Sequence, residues 1–145
     1  MSSIDNTADI VAIRALVDQY SAGANRLNPK EMAAVYAEDG EVVAFGTGFK
    51  GRDTIEEVFS QTIGLMEVMS QICSGGEITV DGDTAKGHWT VTEYAKRKDM
   101  EQVDLFLGDY EDEMVRTADG WRFAQRTFTV RGMHDFENAP PSLHD

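Results

Sequence analysis

The chain has 145 residues, with 13 Lys+Arg against 26 Asp+Glu for a formal net charge of -13, a hydrophobic content of 41% and one cysteine. That length fits one domain able to bury a core without staples, and a single cysteine excludes an internal disulfide. The acidic balance argues against non-specific nucleic-acid binding, which needs Lys and Arg to neutralise phosphates. Met1 to Asp9 is polar and acidic, with no leader pattern. No apolar run approaches the roughly 18–20 residues that span a bilayer. The expectation is a cytoplasmic, single-domain protein without a membrane partner.

Ile10, Ile13, Leu16, Val17 and Tyr20 recur at helical spacing and predict an amphipathic helix over Ala8–Ala24. Asn28-Pro29-Lys30-Glu31 supplies an N-cap, a proline at the first helical position and a glutamate at N3. It opens a second helix with Met32, Val35 and Tyr36 on its apolar face and Gly40 as its stop. Glu41–Phe45 reads as a strand. Asp53 is the expected cap of a third helix whose inner stripe runs from Ile55 to Met66. The period then changes to two. Gln71–Val80 and Thr84–Lys98 form a hairpin across Asp81-Gly82-Asp83, and Glu101–Thr117 and Trp121–Met133 form another across Ala118-Asp119-Gly120. The domain spans 1–133, and 134–145 is expected to be a surface tail. Three helices placed before a long meander predict an α+β fold, with the helices packed on one face of a curved, mainly antiparallel sheet. Such a cone leaves an open mouth, where small-molecule sites form.

The strand phases name the inward residues. Ala85, Gly87, Trp89, Val91 and Glu93 form the more apolar phase of their strand, placing Glu93 inside unless the strand end has already reached solvent. His88 falls on the outer phase, as a surface or subunit-interface histidine. Phe106, Gly108, Tyr110, Asp112 and Met114 share the next phase, while Leu105 and Leu107 make the opposite face apolar too. A covered outer face predicts a homodimer or homotrimer. Trp121 and Phe123 fit one register of the last strand, whereas Ala124, Arg126, Phe128 and Val130 fit the other, and a bulge reconciles them. Arg126 is either a cavity-lining cation or a surface partner of the acidic run Asp109–Glu113.

Gly51-Arg52-Asp53, the Asp81–Ala85 hairpin, and Gly108-Asp109-Tyr110 through Gly120-Trp121-Arg122-Phe123 with Arg126 resemble the SnoaL-like branch of the nuclear-transport-factor-2-like superfamily. The resemblance runs from about Asp9 to Met133. It implies the cone-shaped half-barrel, and relatives that include dehydratases, a dehydrochlorinase, polyketide cyclases and ketosteroid isomerases. The eliminating members share an Asp–His dyad. By count, its positions fall here on Asn25 and Cys73. Asn cannot carry the charge that steadies an imidazolium, and a free thiol is only a few per cent thiolate at neutral pH. Three readings stay open: chemistry through other cavity groups, Cys73 as base or nucleophile, or ligand binding alone. Cys73 also reads as a small buried apolar residue. The resemblance further implies Tyr20, Glu93, Tyr110 and Arg126 as pocket positions.

These readings combine into a cofactor-independent lyase or isomerase acting on a hydrophobic cyclic or aromatic molecule by proton transfer. Tyr20, Asn25, Cys73, Glu93 and Arg126 are the candidate catalytic residues, and Phe45, Phe49, Phe59, Trp89, Phe106, Tyr110 and Phe128 the candidate walls. Arg126→Ala is expected to cut turnover and spare the fold. A non-catalytic binding or assembly domain is the first alternative, and an epoxide hydrolase or polyketide cyclase the second. No cofactor or metal is expected.

Overall fold

A computed structural model describes residues 5–136. Helix α1 spans Thr7–Asn25, α2 Pro29–Ala34 and α3 Arg52–Ile63. The strands are β1 (Tyr36–Ala44), β2 (Thr47–Lys50), β3 (Met66–Asp81), β4 (Thr84–Arg97), β5 (Val103–Thr117) and β6 (Gly120–Phe136). They form one six-stranded sheet in the order β2-β1-β6-β5-β4-β3. Every pairing is antiparallel except β1 with β6. The α+β architecture expected from the element order is the one observed, with helices against one face of a mainly antiparallel sheet.

Alternation decides which face is buried. Ala85, Trp89, Val91 and Ala95 of β4 and Gly108, Tyr110, Asp112 and Met114 of β5 point inward. Ile13, Leu16, Val17, Tyr20 and Ala24 of α1 meet them in the same cluster. Each such aliphatic side chain taken from water stabilises the fold by about 1.5–3 kcal/mol. The far end is fastened by polar contacts: Asp9 of α1 accepts from Arg116 at 2.9 Å and from the Trp121 indole N–H at 3.1 Å.

Several boundaries differ from expectation. The second helix stops at Ala34, because Tyr36 already belongs to the sheet: it is in register with Phe123, and the carbonyl of Val35, the residue that caps the helix, accepts from Phe123 N at 2.8 Å. Gly40 lies within β1 and ends no helix. A Cβ there would stand 2.8 Å from the Phe123 carbonyl oxygen. Gly51, at φ +96, occupies the N-cap of α3, so Asp53 sits in the first turn, where its charge suits the helix dipole. Met66 starts β3 and does not extend α3. Of the expected tail, residues 134–136 continue β6, and 137–145 lie outside the described residues.

The bulge in β6 is present. Met114 pairs with Phe123 while Glu113 pairs with Gln125, so Ala124 is the extra residue, and both Phe123 and Arg126 turn inward. A second irregularity, in β3 between Ser74 and Glu77, serves Trp89. The Trp89 ring lies so close over Gly76 that a Cβ there would come within 2.0 Å of it. Gly76→Ala is therefore expected to lower unfolding stability by about 1–3 kcal/mol and to shift Trp89 fluorescence. Urea denaturation followed by tryptophan emission reads both, and a wild-type midpoint would show that the ring has room to move.

Candidate functional site

The helices and the concave sheet face enclose a cavity of about 430 Å³. Val42, Phe45 and Phe49 come from the β1–β2 hairpin, Val58 and Phe59 from α3, and Phe106 and Phe128 from β5 and β6. Polar groups gather in two places. Tyr20, Gln71, Glu93 and Tyr110 form one set and Arg97 with Asp104 the other. An apolar chamber with a few convergent polar groups is the usual form of a small-molecule site.

Gln71 organises the first set. It is 3% exposed and stands directly across the strand pair from Glu93. Its Nε2 donates to Glu93 Oε2 at 2.9 Å and to the Tyr110 hydroxyl at 3.0 Å. Its Oε1 accepts from Ser21 at 3.0 Å and from the Cys73 thiol at 3.8 Å. Its main chain is gripped by Asn25, whose Oδ1 accepts from Gln71 N at 2.6 Å and whose Nδ2 donates to Gln71 O at 3.4 Å. Asn25 and Cys73 are thus joined through Gln71.

Below the cavity floor lies a buried ion pair. Arg126 Nε is 3.0 Å from Asp112 Oδ1, and both side chains have no solvent exposure. The bulge at Ala124 aims Arg126 inward, opposite Asp112 in the β5–β6 register. Its guanidinium carbon lies 3.6 Å from the Tyr110 ring centroid and 4.5 Å from those of Tyr20 and Phe123. Among the described residues neither Nη atom finds a hydrogen-bond partner, so the rings' negative faces supply much of what the cation receives.

Burial sets the acidities. It raises the Glu93 carboxyl above the usual range, with the Gln71 amide pulling the other way. It pushes Asp112 up to about 6, opposed chiefly by Arg126. The Tyr20 hydroxyl is pushed up to about 12 by burial, again opposed by Arg126, and Tyr110 is raised well above its ordinary value by the same first cause. Both tyrosines are neutral donors near pH 7. Burial also raises the Cys73 thiol, which keeps it protonated.

Of the residues singled out from sequence, Tyr20, Glu93, Phe45, Phe49, Phe59, Phe106, Tyr110 and Phe128 line the cavity. Trp89 does not. Its ring is taken up by the approach to Gly76 and by Arg14, 5.6 Å from its centroid. Asn25, Cys73 and Arg126 stand behind the lining and act on it through Gln71 and the tyrosine rings. Gln71, Ser21 and Asp112 had no assigned role from sequence. Gln71 shares the inward phase of Met69 and Cys73, and Asp112 sits on an otherwise apolar phase, which is the signal that marks each. His88 lies on the outer face against Asp109 at 3.3 Å. No group of three or more His, Cys, Asp or Glu side chains that could hold a metal ion occurs among the described residues, and no helix there is long and apolar enough to cross a membrane.

A chain of this architecture, with a polar cluster at the base of an apolar half-barrel, falls in a recognisable class. The profile of the SnoaL-like domain matches residues 5–127, and the chain belongs to that family, within the nuclear-transport-factor-2-like superfamily. An uncharacterized protein of Mycobacterium tuberculosis is 31% identical over 134 residues, covering 89% of this chain and 90% of that one. Among solved structures, a hexachlorocyclohexane dehydrochlorinase of Novosphingobium barchaimii superposes with a TM-score of 0.84 at 18% identity, over 97% of this chain and all of that one. A Novosphingobium aromaticivorans protein provisionally named a scytalone dehydratase gives 0.83 at 24%, over 94% and 95%. At these identities the structures establish the shared fold.

The burial of Arg126 corrects the expectation that Arg126→Ala spares the fold. Removing one member of a buried pair strands the other charge, so Arg126→Met is expected to cost about 3–5 kcal/mol. Asp112→Leu with Arg126→Met together should recover most of that loss. Urea titration of the four-member cycle measures the coupling, and additive losses would show that the two charges do not depend on each other.

Proposed function

We propose that the protein is a cofactor-independent lyase or isomerase that moves a proton on a hydrophobic cyclic or aromatic molecule held in this cavity. One observation carries the reading. A carboxyl group with raised pKa, Glu93, faces an apolar chamber, its orientation set by the Gln71 amide, with the Tyr20 and Tyr110 hydroxyls at the same end. A base raised toward neutrality is a better match for carbon acids than an ordinary carboxylate. Glu93 removes a proton from carbon beside a carbonyl or aryl group, and a tyrosine O–H donates to the oxygen on which charge develops. Departure of a neighbouring group completes an elimination, and return of the proton elsewhere gives an isomer. Two similar folds carry names that denote eliminations, which supports the reading without fixing the substrate.

Because the base form is the active one, turnover is expected to fall as pH drops through the raised Glu93 value, above the range of an exposed carboxylate. In a screen of cyclic hydroxy- and halo-ketones, Glu93→Gln should lose about 10²–10⁴ in rate and Tyr20→Phe a smaller factor, with melting temperatures near wild type. Wild-type kinetics in Glu93→Gln would remove Glu93 from the mechanism.

The ligand-binding alternative draws on the raised thiol of Cys73, which leaves that position without a nucleophile. A compound that raises the melting temperature and is recovered unaltered would favour it.

Self-association belongs to the same proposal. Ile72 and Leu107, 62% and 46% exposed, lie in one outer row joined through Thr92. A second copy is expected to cover them. Sedimentation at micromolar concentration should give a multiple of 16.1 kDa, and a monomer there would end this part of the reading.

A further inference from the structure

The β1–β2 hairpin closes through Phe45 and Gly46 alone, since Ala44 pairs with Thr47. Both loop residues have positive φ, +52° at Phe45 and +77° at Gly46. Two-residue turns of this kind favour Asn, Asp or Gly at the first position, and a bulky residue there is strained. The aromatic ring gains little burial in return, for Phe45 is 73% exposed, the highest value among the exposed large hydrophobic residues described. Phe45 therefore breaks two local rules at once. Its backbone is unfavourable and its ring stands in water.

The ring's position resolves the conflict. Phe45 lines the cavity, with its ring edge-on to Phe128 at 5.8 Å between centroids and 78° between planes. Phe128 in turn lies 5.1 Å from Tyr110, so a file of aromatic rings runs from the hairpin tip to the polar end of the chamber. We propose that Phe45 is a ligand-contacting residue, held by a strained turn at the exposed side of the cavity, and that an uncharged ring-bearing ligand covers the aromatic surface the free protein leaves in water. Strained backbone clusters at ligand clamps and active sites, where the surrounding structure holds it in place. The inference rests on the cavity being the ligand site, as in the proposed reaction, and adds which wall residue selects flat, apolar occupants.

The test uses Phe45→Asn, which suits the turn, with Phe45→Ala beside it. The probe is N-phenyl-1-naphthylamine, an uncharged fluorescent ring compound. Val58→Trp, which fills the chamber from α3, identifies the part of the signal that comes from the cavity. Phe45→Asn is expected to raise the melting temperature by a few degrees while weakening cavity binding several-fold. Phe45→Ala should weaken binding to a similar degree without that gain in stability. A lower melting temperature in Phe45→Asn would show that the ring serves the fold, and unchanged affinity in both variants would show that it touches no ligand. Either result overturns the inference. If the wild type shows no signal sensitive to Val58→Trp, the cavity itself is not the site, and the failure lies with the proposed function instead.

Discussion

A guanidinium with no access to solvent is the constraint around which this half-barrel is arranged. Arg126 enters the interior because the extra residue Ala124 reverses the phase of β6, and once inside it dictates its neighbours. A carboxylate must stand opposite, and Asp112 does. Electron-rich faces must cover the remaining nitrogens, and Tyr110, Tyr20 and Phe123 do. Pairs of this kind contribute little net stability, because desolvating both charges costs about what their attraction returns. What the pair does contribute is a fixed positive charge beneath two tyrosine rings in a low-dielectric setting. There it opposes the rise in pKa that burial imposes on both hydroxyls.

The second organising element is neutral. The Gln71 amide links α1, through Ser21 and Asn25, to Glu93 on β4 and Tyr110 on β5. A buried amide whose donors and acceptor are all engaged has one orientation, so it transmits the placement of the helix to the carboxyl group without adding charge. Replacement by an apolar side chain would leave Glu93 and Tyr110 without that donor, at the cost attached to buried unpaired polar groups.

Alternation made the sheet legible from sequence. The inward phases of β4 and β5 follow directly from their period of two, and the clash between Trp121 and Phe128 registers announced the bulge. The edges of β1 were not legible, because the Asn28-Pro29 helix start is a strong local signal and nothing nearby says that Val35 leaves the helix to bond Phe123. Strand β2 is short and contains Gly48, which masks its period. The site was half legible. Phase turned Glu93 inward, and the family resemblance pointed to Tyr20 and Tyr110; all three line the cavity. Asp112 was hidden by the acidic run around it, where a charge count cannot separate the one carboxylate that turns inward from the three that do not. Trp89 shares the phase of the cavity walls but fills a different space, since close approach to Gly76 depends on an irregularity in another strand. The resemblance likewise pointed to Asn25, without revealing that its grip is on the main chain of Gln71.

The two inward carboxyl groups, Glu93 and Asp112, share the inward phase of their strands, and desolvation raises the pKa of both. Their partners separate them. Asp112 is balanced by a cation that cannot give up its proton, so protonating Asp112 would leave Arg126 uncompensated in the interior. Every proton exchanged at that position carries the cost of an unpaired buried charge. Glu93 is held by a neutral amide, which favours the carboxylate only modestly and loses no charge balance when the proton arrives. A group that must gain and release a proton within one cycle has to be of the second kind. In the proposed reaction, Asp112 serves by staying ionised near pH 7 and keeping Arg126 beneath the tyrosines, while proton movement falls to Glu93, the carboxyl that lines the cavity together with both hydroxyls.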